Sequence, residues 1–99
     1  MPFKLAFTEL ANATLDELAT DPASAAKLRK VRKALGLLSR DPRHPGLNSH
    51  EYHSMAGRDG TKLWESYVEN RTPRAWRIWW SYGPDRQELT VMAIGPHPD

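Results

Sequence analysis

Arg77 is the residue of this sequence most at odds with its surroundings. It stands in Ala75-Trp76-Arg77-Ile78-Trp79-Trp80-Ser81-Tyr82, a run rich in the aromatic and β-branched residues that favour strands. Alternation along a strand puts Trp76, Ile78, Trp80 and Tyr82 on one side, and Ala75, Arg77, Trp79 and Ser81 on the other. A guanidinium there has two uses. It pairs with Glu65 or Glu69 across a hairpin, or its planar fork holds a phosphate on an open sheet face. Trp79 shares the side of Arg77 and is the tryptophan with a claim to stack on a base. The other three, with Phe3 and Phe7, are expected in the core of so small a chain.

The four histidines are the other groups suited to proton transfer. His50 and His53 have a spacing at which a helix presents two metal ligands, but no helical pattern covers them and no third ligand is evident. No metal and no cofactor are therefore assigned. His44 and His97 each sit in a proline-bracketed turn, His44-Pro45-Gly46 and Gly95-Pro96-His97-Pro98. The absence of cysteine excludes disulfides, thiolate zinc sites and cysteine nucleophiles.

Charge is unevenly spread. The whole chain carries +2, yet residues 27–43 hold seven basic residues (Lys27, Arg29, Lys30, Arg32, Lys33, Arg40, Arg43) against Asp41 alone, a net of +6. Such a patch attracts polyanions through counterion release, serves an acidic protein partner, or is a solvated helix face.

The elements that must position these groups follow from periodicity. The 99 residues make one domain, 1–99, with an ordinary globular composition of 39% hydrophobic and 26% charged residues. Phe3, Leu5 and Phe7 alternate with Lys4 in a short strand. Thr8 can cap a helix in which Leu10, Ala11, Leu15, Leu18 and Ala19 form an apolar stripe. Asp21-Pro22 starts a second helix to about Ser39, with Leu28, Val31, Leu35 and Leu38 on one side, and Asp41-Pro42-Arg43-His44-Pro45-Gly46 ends it. Gly57 to Gly60 reads as a turn. Strands are expected over Leu63 to Glu69, Ala75 to Tyr82 and Glu88 to Ile94, joined at Asn70-Arg71-Thr72-Pro73 and Gly83-Pro84-Asp85. This order predicts an α+β domain: an N-terminal strand, two helices, then a three-strand antiparallel meander with the helices packed on one face. No apolar run approaches the roughly 20 residues of a membrane span, and the N-terminus lacks the pattern of a secretory signal, so a cytoplasmic protein without membrane contact is expected.

Four stretches, taken in order with the elements, resemble the RelE/ParE superfamily of bacterial type II toxin–antitoxin modules. They are Asp41-Pro42-Arg43-His44-Pro45-Gly46-Leu47, Leu63-Trp64-Glu65-Ser66-Tyr67-Val68-Glu69-Asn70, Ala75-Trp76-Arg77-Ile78-Trp79-Trp80 and Val91-Met92-Ala93-Ile94-Gly95-Pro96-His97. The resemblance implies a toxin silenced by a cognate antitoxin protein, and leaves a homodimer open. One branch of the superfamily cleaves messenger RNA on the ribosome without metal, and the other poisons DNA gyrase. A non-enzymatic RNA- or protein-binding domain on the same fold is the third reading. On the nuclease branch Arg77 matches the arginine at the scissile phosphate, and His97 matches the general acid. His44 falls near the position of a glutamate base. Lys30, Lys33, Arg40 and Arg43 would hold the RNA backbone without reading its sequence. Glu65 and Glu69 stand where nucleolytic members are often basic or neutral; a carboxylate on the active face would repel RNA or neutralise Arg77.

Overall fold

The computed structural model describes residues 1–53 and 60–98. Two helices cover one face of a five-stranded sheet with the order β1-β5-β4-β3-β2. The strands are β1 (Lys4–Phe7), β2 (His50–Glu51), β3 (Trp64–Tyr67), β4 (Trp76–Tyr82) and β5 (Glu88–Pro96), and the helices are α1 (Glu9–Thr20) and α2 (Ala25–Arg40). The expected meander is β3-β4-β5. To it the structure adds two edges: β1 joins β5 in parallel, and the two-residue β2 joins β3 antiparallel. The sequence around β2 has too short a pattern to mark a strand, and two residues gain that state only by pairing with β3. The turn expected over Gly57 to Gly60 lies outside the described residues except for Gly60.

Thr8 begins α1 as expected. Its Oγ1 accepts from the Ala11 amide at 3.1 Å and donates to the Met92 carbonyl at 2.7 Å. The second bond ties the helix start to an irregularity in β5. Trp79 pairs with Ala93 but Trp80 pairs with Val91, so Met92 is an extra residue, a β-bulge, and Thr8 occupies its carbonyl. Asp21 caps a single 3-10 turn over Pro22–Ser24, and the α-helix proper starts three residues later than the sequence suggests. Gly83 supplies the positive φ of 103° between β4 and β5, a conformation that costs glycine little.

The core lies between the helices and the sheet. Val31, Ala34, Leu35 and Leu38 of α2 and Ala11 and Leu18 of α1 pack on Ile78, Trp80, Leu89, Val91 and Ile94. Leu10, assigned to the apolar stripe of α1, is 64% exposed, because Ala11 and Leu18 set the buried line and Leu10 falls outside it. Trp80 is buried, stacks on Trp64 with ring centroids 5.9 Å apart, and donates its Nε1–H to Ser66 Oγ at 2.8 Å. Ser66 in turn shares a 2.7 Å hydrogen bond with Ser49. Among the described residues no helix lies on the other sheet face, and there the alternation of β4 and β3 puts Arg77, Trp79, Glu65 and Tyr67.

Candidate active site

Register brings the polar residues of the uncovered face together. Glu65 lies opposite Trp79 on one side and His50 on the other; Tyr67 lies opposite Arg77, which lies opposite Gly95. Beyond β5 the His97 amide still bonds the Ala75 carbonyl at 2.9 Å, continuing the ladder. Four side chains from three other strands or their ends thus converge on Glu65. His50 Nε2 is 2.9 Å from Oε1, the Trp79 indole donates to Oε2 at 2.9 Å, His97 Nε2 is 3.6 Å from Oε2, and Arg77 Nε is 3.9 Å from Oε1. Glu65 is only 3% exposed. Burying a carboxylate is costly unless charge and hydrogen bonds surround it, which these neighbours provide.

Arg77 is fixed from three sides. Its guanidinium carbon lies 3.7 Å from the centroid of the Tyr67 ring, and its Nη1 donates to the carbonyls of Glu69 and Trp76. Its Nε is buried and has no hydrogen-bond acceptor. Both readings of Arg77 therefore meet in one place: it faces Glu65, as in the cross-hairpin pair, and it does so on the uncovered face. Its contact with Glu69 is to the backbone, and the Glu69 carboxylate goes elsewhere.

That carboxylate joins the basic helix to the sheet. Lys27 Nζ is 2.9 Å from Glu69 Oε1 and lies over the Trp76 ring, Lys30 Nζ is 3.3 Å from Oε2, and the Trp76 amide donates to Oε1 at 3.1 Å. Burial pushes the Glu69 carboxyl up, but the bonds from Lys27, the Trp76 amide and Lys30 outweigh it and hold it below its ordinary value. A carboxyl lowered in the folded state stabilises the fold above its unfolded pKa, and that contribution is lost as pH falls through the folded value. Glu69→Gln is expected to cost about 1 kcal/mol at neutral pH and to flatten the acid decline. The urea midpoints of the two proteins should converge as the solution is acidified below the carboxylate range.

Lys30 is thus held in an ion pair while its side chain stays 58% exposed. Lys30 and Lys33 also line a groove of about 650 Å³ with Leu37, His44, Tyr67 and Asn70. His44 stands here, its Nδ1 accepting from the Gly46 amide at 3.0 Å, on a groove whose lining includes neither Arg77 nor His97. Arg40 and Arg43 are exposed near the end of α2. Arg77, His97 and Trp79 are brought together, whereas His44, Lys30 and Lys33 form a second group behind Tyr67.

The sequence offers Glu65 as a pairing partner or a departure from the nucleolytic pattern, and His50 as half of a metal pair; it does not mark either as part of one cluster. The structure separates that pair: His50 turns to Glu65, and His53 lies 3.6 Å from Glu51. The available signal was parity, since Glu65 and Tyr67 alternate on β3 as Arg77 and Trp79 do on β4.

His50 has one more constraint. Its Nδ1 is 2.7 Å from the Asn48 carbonyl and its Nε2 faces the Glu65 carboxylate, so both ring nitrogens meet acceptors.

No family model and no curated protein sequence matches the chain significantly. Solved structures do: the chain has the RelE/ParE-type toxin fold, as its four sequence stretches led one to expect. A YoeB/ParE toxin from Agrobacterium tumefaciens superposes with a TM-score of 0.70 at 16% identity, over 96% of this chain and 99% of that one. The YoeB dimer of Staphylococcus aureus gives 0.68 at 9% identity, over 99% and 100% of the two chains. The archaeal RelE of a RelE–RelB complex from Pyrococcus horikoshii gives 0.65 at 12% identity, over 97% and 96%.

Proposed function

We propose that this chain is the toxin of a toxin–antitoxin pair, and that it acts as a metal-independent endoribonuclease on messenger RNA held on the ribosome. The observation that carries this reading is the meeting of Arg77 and His97 around Glu65 on the uncovered sheet face. Cleavage without metal needs a cation for the charge that develops on the phosphate and an acid for the leaving 5′-oxygen. Arg77, backed by Tyr67, is the fixed cation, and His97, 37% exposed at the side chain, is the proton donor within reach of solvent and substrate. Trp79 offers a partly exposed ring beside them. The partner is an acidic antitoxin segment laid over the uncovered face and the basic helix. The Pyrococcus horikoshii relative was solved with its RelB, and co-expression with an acidic protein encoded next door should yield a complex.

Induced expression with mapping of message ends, run beside a gyrase supercoiling assay, tests the reading. New message ends with normal supercoiling are expected. Intact messages with inhibited gyrase would replace it with the gyrase-poisoning alternative, and neither effect would leave a non-enzymatic binding domain.

The basic helix gives a separate expectation. RNA or ribosome binding should weaken steeply with salt, and Lys33→Glu combined with Arg40→Glu should weaken it further with little change in melting temperature. Reversing Lys30 is a poorer test, because it would set a second carboxylate against Glu69. Unchanged affinity in the Lys33 and Arg40 double variant would make the patch a solvated face.

A further inference from the structure

Resting on the ribonuclease reading, we propose that Glu65 is the general base of this site, taking the proton of the attacking 2′-hydroxyl, with His50, 2.9 Å from its Oε1, holding it in place. The role passes from His44, which belongs to the groove behind Tyr67.

The argument starts from what the cluster leaves unmatched. An ionised carboxylate offers about four lone-pair positions. His50 and Trp79 fill one on each oxygen of Glu65, at 2.9 Å each. His97 and Arg77 approach at 3.6 and 3.9 Å, beyond hydrogen-bond length, and the buried Arg77 Nε bonds nothing. A buried acceptor with spare capacity therefore stands beside a buried donor with no acceptor. A bare phosphate satisfies the donor but is repelled by the carboxylate. A phosphodiester with a hydroxyl on the adjacent carbon satisfies both, its non-bridging oxygen accepting from Arg77 and its hydroxyl donating to Glu65. This is the chemistry of ribose and not of deoxyribose. The Glu65 carboxylate is therefore a specificity element, and the apparent obstacle to RNA binding becomes the means of selecting it.

The low exposure of Glu65 fits this role. Arg77 and His97, the two groups that a phosphate draws to itself, stand 3.9 and 3.6 Å from the Glu65 oxygens. Catalytic distances that are long in a free site tighten when substrate is bound. In the reaction the 2′-hydroxyl proton passes to Glu65 as the 2′-oxygen lone pair forms the bond to phosphorus. The bond from phosphorus to the 5′-oxygen breaks with its electron pair on that oxygen, which takes a proton from the His97 imidazolium. The products are a 2′,3′-cyclic phosphate and a 5′-hydroxyl. Glu65 ends protonated and His97 neutral, and exchange with solvent restores both. Arg77 balances the charge on the phosphate throughout.

The test uses the full chain and ribosome-bound message, with an oligoribonucleotide and its counterpart carrying one 2′-deoxy substitution at the scissile position. Wild type is expected to leave 2′,3′-cyclic phosphate ends, to spare the deoxy counterpart, and to show kcat/KM rising on the acid side. The charged and titratable groups facing Glu65 are His50 from β2, Arg77 from β4 and His97 after β5, with the phenols of Tyr67 and Tyr52 nearby, so the apparent value belongs to the cluster. Glu65→Gln, which keeps the shape and an acceptor for His50 or Trp79, should slow cleavage by about 10²- to 10⁴-fold and abolish the acid-side rise. Glu65→Asp should be slow yet keep that rise. If folded Glu65→Gln cleaves within about threefold of wild type, the assignment of Glu65 is overturned and the ribonuclease reading stands. If wild type cleaves nothing, the ribonuclease reading fails and the base with it. Should Glu65→Gln not fold, the wild-type profile and Glu65→Asp decide, and a wild-type rate without an acid-side rise overturns the proposal.

Discussion

Replacing Arg77 with alanine is expected to slow message cleavage by about 10²-fold or more, and to weaken the fold as well. The two effects have separate causes. Activity falls because the guanidinium is the fixed cation at the phosphate. Stability falls because the same group lies on the Tyr67 ring, bonds two backbone carbonyls and stands beside a buried carboxylate. Removing one partner from such a buried arrangement typically costs about 3–5 kcal/mol, a large part of the 5–15 kcal/mol of an average domain. Rates must therefore be compared per folded molecule, with melting temperature measured on the same preparation. His97→Ala is the cleaner companion. The side chain is 37% exposed and its charge contact is long, so cleavage should fall comparably while the melting temperature stays close to wild type. Arg77→Lys keeps the charge and loses the fork, and should recover stability better than rate. Full cleavage by folded Arg77→Ala would sink the assignment of Arg77 to the phosphate.

Trp80→Ala should have the largest effect on stability of any single truncation in the sheet, about 3–5 kcal/mol. Trp80 is 1% exposed, fills the space between β4 and the helices, and is packed against Trp64 and Tyr82. Its indole also satisfies Ser66, whose hydroxyl has no solvent to turn to and ties β3 to Ser49. Trp80→Phe keeps much of the volume and removes only that donor, and should cost about 1–3 kcal/mol. Chemical denaturation of the two variants separates packing from hydrogen bonding. A phenylalanine variant as unstable as the alanine one would mean that the Ser66 bond, and not the ring, holds the strands together.

The fold was legible where a pattern repeated. Period two in Trp76, Ile78, Trp80 and period 3.6 in Val31, Leu35, Leu38 place strand and helix without ambiguity, and proline and glycine mark their ends. Legibility failed where an element exists only through its partner. His50–Glu51 is a strand because Glu65 and Trp64 lie beside it, and nothing within two residues encodes that. The site was half legible for the same reason. Arg77 stood out because charge interrupts an aromatic strand, whereas Glu65 became central only once register set it between His50 and Trp79. Lys30 shows what a charge count leaves out: its pairing with Glu69, a residue 39 positions away, follows only from the fold.

The extra residue in β5 acts as a change of phase. Leu89 and Val91, before Met92, pair with Tyr82 and Trp80 and lie toward the helices; Ala93 and Gly95, after it, pair with Trp79 and Arg77 and lie on the other side. All four positions are odd, as is His97, so an uninterrupted strand would send every one of them to the same face. The histidine would then point into the packed layer, two strands' worth of correct pairing notwithstanding, and could not approach Arg77 at all. Drawing Met92 into a regular ladder would turn every later side chain over, whereas removing Met92 takes out the extra residue itself: Ala93 then follows Val91 opposite Trp79 and Trp80, Ile94 stays toward the helices, and His97 keeps its face and its activity. The reach of the C-terminal histidine is in this sense written as a count of residues, kept by the Thr8 hydroxyl that closes over the spare carbonyl at the opposite end of the chain.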